Sequence, residues 1–151
     1  MKTFTKKYLF AALVVLMFAW ACEKNKPAQE ADSSDFSKGV IIVNEGNFMH
    51  ANGDLSHYDP ENEIMINNIF STQNGGGPAG DVIQSFTATD SLGIFAANNS
   101  KKVTAVDLQT FKHRWTIEDL KYPRYIVSDN DSVAYLTDGE SPSRLLKINL
   151  K

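Results

Sequence analysis

A repeated segment constrains the fold of this chain more than any other feature of its sequence. Residues 92–108 (LGIFAANNSKKVTAVDL) recur as residues 132–150, and more loosely as residues 39–59. Each copy contains a β-rich run, a polar turn, a second β-rich run and then Asp or Asn. The second and third copies are offset by about 40 residues, a period typical of β-propeller blades.

Short runs of β-favouring residues follow one another along the rest of the chain. They are separated by turn-forming residues such as Asp59-Pro60-Glu61-Asn62 and by the Gly-rich segment 71–81, predicted to be a loop. No segment beyond the N-terminal region shows a helical periodicity. The copies align Asn44 with Asn98 and Thr137. The predicted strands are residues 39–44, 54–58, 63–70, 82–89, 93–98, 102–108, 113–118, 125–128, 133–137 and 144–150.

These strands predict an all-β fold, a partial β-propeller of about two and a half four-stranded blades. Residues 81–119 make one whole blade, residues 123–151 supply three strands of the next, and residues 39–70 supply a blade without its innermost strand. Closed propellers have roughly four to eight blades. We therefore expect the chain to be an N-terminal fragment of a longer protein. The alternative is a complete small β-sandwich built from the same strands.

The first 21 residues predict an export signal. Lysines 2, 6 and 7 precede a continuous apolar run over residues 8–21, which is short for a membrane-spanning helix. The run ends Ala19-Trp20-Ala21-Cys22, and Cys22 is the single cysteine of the chain. Residues 1–21 thus resemble a lipoprotein signal peptide, with Cys22 as the lipidated mature N-terminus. The alternative is a plain exported protein with an unmodified cysteine.

Residues 22–38 are polar, contain Pro27 and lack periodicity, which predicts a disordered tether. A lipid on Cys22 would hold the folded domain, residues 39–151, to a membrane through this tether. The expected partner of the N-terminus is therefore the membrane itself.

Composition and motifs exclude several functions. The net charge of −3 gives no basic surface for nucleic acid, and one cysteine allows no internal disulfide. Gly75-Gly76-Gly77 lacks the Lys and Ser or Thr of a phosphate loop, and the three histidines lack metal-binding spacing. We find no nucleophile motif, so we expect a protein that is not an enzyme and holds no metal or resident cofactor.

Several motifs carry a resemblance to a known family. In order they are VNEGNF (43–48), SHYDPEN (56–62), GGGPAGDVIQSF (75–86), VDLQTFK (106–112) and YPRYI (122–126), with the pair Asn98-Asn99. The chain resembles the opening blades of YncE-like, YVTN-type propeller lipoproteins. More narrowly, it is similar to the group that includes surface-exposed cobalamin-binding lipoproteins.

That resemblance implies a seven-bladed ring, a location at the cell surface of a Gram-negative bacterium and an outer-membrane lipid anchor. It also implies a function: capture of cobalamin or a related corrinoid for a TonB-dependent transporter. The alternative is a surface propeller that binds a protein or a polymer and has no small-molecule ligand.

The expected binding residues lie in loops at one end of the propeller, because loops on a rigid scaffold usually carry function. A large amide-rich ligand favours amides, hydroxyls and aromatic faces over charge. The candidates with such side chains are Asn47, Phe48, His50, Asn52, Gln73, Asn74, Gln84, Asn98, Asn99, Tyr122 and Arg124. For any one of them, a role as an ordinary turn residue is the alternative.

Overall fold

The computed structural model describes residues 35–139 and 141–151. Over these residues the chain is an all-β partial propeller of three antiparallel sheets, containing three, four and three strands. The predictions for the signal peptide, for lipidation of Cys22 and for most of the tether lie outside the described residues. Within them, no helix has the length and apolar character needed to cross a membrane.

The first blade contains β1 (Val40–Asn44), β2 (Asp54–Asp59) and β3 (Ile64–Ile66), in that spatial order. β1 has no neighbour on its other edge among the described strands, as expected for a blade without its innermost strand. Val43 pairs with Leu55 across β1 and β2.

The second blade is complete. It consists of β4 (Ile83–Ala88), β5 (Leu92–Ala97), β6 (Lys102–Asp107) and β7 (His113–Ile117), hydrogen-bonded in sequence order. The third blade contains β8 (Pro123–Asn130), β9 (Val133–Asp138) and β10 (Arg144–Asn149). The predicted division into two and a half blades is confirmed.

One short helix was not predicted. α1 spans Ile69–Gln73, so the strand predicted over residues 63–70 is wrong beyond β3, and part of the predicted loop 71–81 is helical. The Asp54 carboxylate accepts hydrogen bonds from the backbone N–H groups of Phe70 and Ser71, and Ile69 is fully buried. Tertiary contacts therefore stabilise a helix too short to show a periodic sequence signal.

Two details of the strand predictions are corrected. β8 begins at Pro123 and ends at Asn130, so it is twice as long as the predicted strand 125–128. A short apolar β-branched run such as β1 is typical of a strand buried on both faces, but Val40 is 50% exposed. Its second face has no covering sheet among the described residues, and a β-branched run cannot by itself reveal whether a partner sheet is present.

Two hydrophobic clusters hold the three blades together. One joins the first and second blades through Leu55, Phe95 and Phe111, with α1 contributing Ile69 and Phe70. The other joins the second and third blades. Its members include Ile94, Ala96, Val103, Ala134, Leu136 and Ile148. The second blade is thus packed on both faces, whereas each outer blade is packed on one.

Strand pairing and packing show that the first copy of the repeat aligns with the other copies one residue away from the alignment expected from the sequence. Val43 pairs with Leu55 and both join the cluster facing the second blade, just as Ala96 pairs with Val103 and both face the third. Val43 therefore corresponds to Ala96, and Glu45, rather than Asn44, corresponds to Asn98. Because alternate residues point to opposite faces, a shift of one residue reverses which side chains are buried.

Candidate ligand-binding face

Loops from all three blades meet at one end of the propeller. In an antiparallel blade, the β1–β2 loop, the β5–β6 loop and the connections that enter β4 and β8 all lie at the same ends of their strands. We call this end the loop face. It comprises residues 45–53, 77–82, 98–101 and 118–122.

Two glycines fasten the first loop to the connection that enters the second blade. The Gly53 N–H donates to the Gly80 carbonyl over 2.8 Å, and the Ala79 N–H donates to the Gly53 carbonyl over 3.0 Å. A Cβ at Gly53 would lie 2.7 Å from the Glu45 carbonyl oxygen, and one at Gly80 would lie 2.7 Å from the Ala97 Cβ. Only glycine permits this close approach without displacing the backbone.

Asn98 and Asn99 each connect two segments of the loop face. The Asn98 Nδ2 donates to the Pro123 carbonyl over 3.1 Å, which links the second blade to the start of β8. The Asn99 Nδ2 donates to Asp81 Oδ2 over 2.6 Å. Both predicted residues lie on the loop face and both are half-buried, but their amide nitrogens already act as structural donors.

The connection entering the third blade is held by a buried carboxylate. Asp138, 1% exposed, accepts the N–H groups of Lys121 and Tyr122 at 2.9 and 2.8 Å and pairs with the Arg144 guanidinium. Burial raises the pKa of Asp138, but the bonds from Arg144 and the two N–H groups outweigh burial and leave that pKa lowered. Tyr122 is fixed in this way, and the Lys101 ammonium lies 5.8 Å from its ring centroid.

The β1–β2 loop presents an apolar tip. Asn52 closes the loop, because its Oδ1 accepts the Asn47 N–H over 2.8 Å. The Asn47 carbonyl accepts the His50 N–H over 3.0 Å, so both asparagines shape the turn. Phe48 and Met49 are 65% and 76% exposed at its end, and His50 is exposed beside them. Of the predicted residues, Phe48 and His50 are thus presented to solvent.

Gln73 and Asn74 do not join the other candidates. The Asn74 Nδ2 donates to the carbonyls of Phe70 and Phe111, and its Oδ1 accepts the His113 N–H over 2.8 Å. The Gln73 carbonyl accepts from the Lys112 ammonium. Phe111 to His113 follow the far end of β6, about 20 Å along that strand from the β5–β6 loop. These two residues fasten α1 to the second blade.

A pocket of about 320 Å³ lies where the inner strands reach the loop face. Val43, Glu45, Ile83, Gln84 and Tyr125 line it. The Gln84 Oε1 is buried and has no hydrogen-bond partner, and the Tyr125 ring is 64% exposed. A buried acceptor without a donor costs free energy, so a ligand N–H or O–H placed there would be favoured. Arg124 is exposed beside Tyr125 in β8.

Sequence reasoning named one of the five pocket residues. Gln84 was predicted as a candidate, whereas Val43, Ile83 and Tyr125 were treated as strand residues and Glu45 was not a candidate. Tyr125 stands next to the predicted Tyr122 and Arg124 in the YPRYI motif, which is the signal that pointed to this region. The remaining three are brought together by packing between separate blades. Among the described residues, no group of three or more His, Cys, Asp or Glu side chains is arranged to hold a metal.

Residues 38–151 match a family described as a domain of unknown function, DUF5074. No curated protein matches the chain.

Proposed function

This chain belongs to the DUF5074 family, and from its geometry we propose that it is a ligand-binding module that captures an amide-rich small molecule on the loop face. The function of the family is unknown, so the proposal depends on the chemistry of the chain itself. The resemblance to cobalamin-binding propeller lipoproteins supports a corrinoid as the ligand.

The pocket around Gln84 is the observation that carries this proposal. The Gln84 side chain and the Glu45 carboxylate line it beside the exposed ring of Tyr125, and the buried Oε1 of Gln84 has no donor from the protein. A ligand that donates N–H groups and has a flat apolar surface would satisfy both features. The primary amides around a corrin ring are donors of this kind.

The neighbouring loops extend the contact area for a large ligand. Phe48 and His50 project from the β1–β2 loop, and Tyr122 lies half-buried on the connection to the third blade. Asn98 and Asn99 contribute mainly by holding the loops in place, since their amide nitrogens bond to protein acceptors. We thus propose that Phe48, His50 and Tyr122 contact the ligand, and that the two asparagines position the loops.

The same proposal includes a cellular context. A lipid on Cys22 would attach the protein to the outer membrane of a Gram-negative bacterium, and the tether over residues 22–38 would let the propeller face outward. A captured corrinoid would then pass to a TonB-dependent transporter. The resemblance and the N-terminal sequence support this context.

Calorimetric titration of the full chain with cyanocobalamin tests the ligand. We expect saturable binding, together with a melting temperature that rises with ligand concentration, because a ligand that binds only the folded state stabilises it. Gln84→Ala removes the buried acceptor and should weaken binding about tenfold, the loss expected for one hydrogen bond of about 1.4 kcal/mol. Gln109→Ala, on the exposed β6–β7 turn, is the matched control and should bind normally.

A second candidate function is supported by the apolar loop tip. Exposed neighbouring residues such as Phe48 and Met49 are typical of contacts with another macromolecule. Absence of heat and of a melting shift with cyanocobalamin would reject the corrinoid proposal and favour a surface propeller that binds a protein or polymer. Cyanocobalamin binding that is unaffected by Gln84→Ala would support a corrinoid ligand but would show that it does not bind in the pocket around Gln84.

A further inference from the structure

The innermost strand of the second blade has a β-bulge beside the loop face. Ile83 pairs with Ala97, and Ser85 pairs with the adjacent Ala96. Gln84, between them, therefore has no partner in the ladder with β5. A strand without a bulge would direct Ile83 and Ser85 to the same side. Here Ile83 packs in the cluster shared with the first blade, whereas the Ser85 hydroxyl bonds to β8 of the third blade, so the extra residue reverses the alternation of side chains.

The innermost strand of the third blade repeats this bulge. Between the pairs formed by Pro123 and by Ile126, two residues of β8, Arg124 and Tyr125, lie opposite the single residue Thr137 of β9. The tyrosine of the pocket thus lies in a bulge, as the glutamine of the pocket does. Bulges are common beside binding sites, because they change the direction of a side chain.

A bulge also interrupts the ladder hydrogen bonds, and side-chain hydroxyls replace some of them around Tyr125. The Ser85 Oγ donates to the Arg124 carbonyl over 2.7 Å and accepts the Ile126 N–H over 3.1 Å. These two groups belong to the peptide units on either side of Tyr125. The Tyr125 N–H itself donates to the Thr137 Oγ1 over 3.1 Å. The hydroxyls thus satisfy backbone groups that the ladder leaves without partners.

The Ser85 hydroxyl joins the two strands that form the pocket. Ser85 directly follows Gln84 in β4, so the Cα atoms of these two residues are about 3.8 Å apart. Its hydroxyl holds both peptide units that flank Tyr125 in β8. One side chain therefore links the segment that carries the unpartnered Gln84 Oε1 to the segment that carries the exposed tyrosine ring.

Thr87 makes a matching contact further along the same two strands. Its Oγ1 accepts the Ser128 N–H over 3.1 Å and lies 3.0 Å from the Ser128 Oγ. Ser85 and Thr87 therefore both fasten β4 to β8. Only Ser85 holds the peptide units next to Tyr125, whereas Thr87 holds β8 at a point beyond the pocket. Thr87 is thus a matched control for a purely structural role.

We propose that Ser85 is a positioning residue of the pocket, whose hydroxyl fixes Tyr125 where its ring meets a ligand bound beside Gln84. The part of this inference that concerns binding rests on the proposed function, and the part that concerns the hold on Tyr125 does not. A residue whose two flanking peptide units are already fixed loses less conformational freedom when the ligand binds. Ser85 does not itself line the pocket, so it acts through Tyr125.

Calorimetric titration of the full chain with cyanocobalamin tests the role in binding. Ser85→Ala should weaken binding about three- to tenfold, because Tyr125 is then no longer fixed before the ligand arrives. Ser85→Thr keeps a hydroxyl at the same strand position and should restore most of the affinity. Thr87→Ala removes the matched contact and should bind like the parent chain, although both alanine variants should lower the melting temperature.

Amide hydrogen exchange without ligand, followed for each residue by NMR, tests the hold on Tyr125 itself. In Ser85→Ala the Ile126 N–H loses its acceptor. The Tyr125 N–H, which bonds to Thr137 and not to Ser85, should exchange faster as well, because the residue is no longer held on both sides. In Thr87→Ala the Ser128 N–H should exchange faster while the Tyr125 N–H is unchanged.

Equal weakening of cyanocobalamin binding by Ser85→Ala and Thr87→Ala would overturn the proposal, because any lost contact between β4 and β8 would then have the same effect. Parent-like binding by Ser85→Ala would also overturn it. If the parent chain binds no cyanocobalamin, the corrinoid proposal fails, and the exchange of the Tyr125 N–H decides whether Ser85 holds this residue. Unchanged exchange of that N–H in Ser85→Ala overturns the inference in either case.

Discussion

Single buried carboxylates fix the connections between strands, and Asp138 is the clearest example. It is 1% exposed and accepts bonds from two backbone N–H groups and one guanidinium. Asp138→Ala should lower the free energy of unfolding by about 3 kcal/mol, because it leaves these donors without their acceptor. Asp138→Asn keeps one acceptor oxygen and should cost less. Urea denaturation of both variants measures the difference.

The pH dependence of stability gives Asp138 a second test. Its pKa is lowered in the folded state, so its contribution is present above the ordinary pKa of an aspartate and is lost as the pH falls through the lowered value. The difference in unfolding free energy between the parent chain and Asp138→Asn should therefore shrink in acid. A difference that stays constant down to low pH would show that the charge of Asp138 has no part in stability.

In the loops and connections, the close approach of two backbone segments determines which residues are tolerated. Gly53→Ala would push a Cβ to within 2.7 Å of the Glu45 carbonyl and 2.9 Å of the Gly80 carbonyl, so it should destabilise the chain by about 1–3 kcal/mol. Gly77→Ala, in the connection that enters the second blade, meets no atom within 4 Å and should be nearly neutral. Thermal melts of the two variants make the comparison. Equal effects would show that the contact between Gly53 and Gly80 does not constrain the loop face.

The secondary-structure elements were largely predictable because β-branched and aromatic runs alternate with turn residues. Ten strands were predicted and ten are observed within residues 35–139 and 141–151, with most boundaries within two residues. α1 was missed because five residues carry no period, and because its stability comes from Asp54 and from burial of Ile69. The separation of Gln73 and Asn74 from the other candidate residues was likewise unpredictable, because α1 places these two residues at the β6–β7 turn and not on the loop face.

The row of blades predicts an uneven distribution of stability over the whole molecule. The second blade is packed on both sides, and Ile94, Phe95, Val103 and Ala105 are fully buried, whereas each outer blade is packed on one side. Because stacked repeats are stabilised mainly by neighbours, β5 and β6 should show the slowest amide hydrogen exchange, with β1 and β10 exchanging faster.

Amide hydrogen exchange of the full chain measures this gradient. Uniform protection across all three blades would contradict it.

The sequence by itself determined the all-β class, the blade period and the order of the strands, because these follow from local alternation, turn chemistry and internal repetition. Only the tertiary structure decided which residues meet. It joined Val43, Glu45, Ile83, Gln84 and Tyr125 into one pocket, directed Asn74 away from it, and shifted the first repeat by one residue. Each of these depends on contacts between segments distant in the chain, and local pattern carries no information about which distant segments pack together.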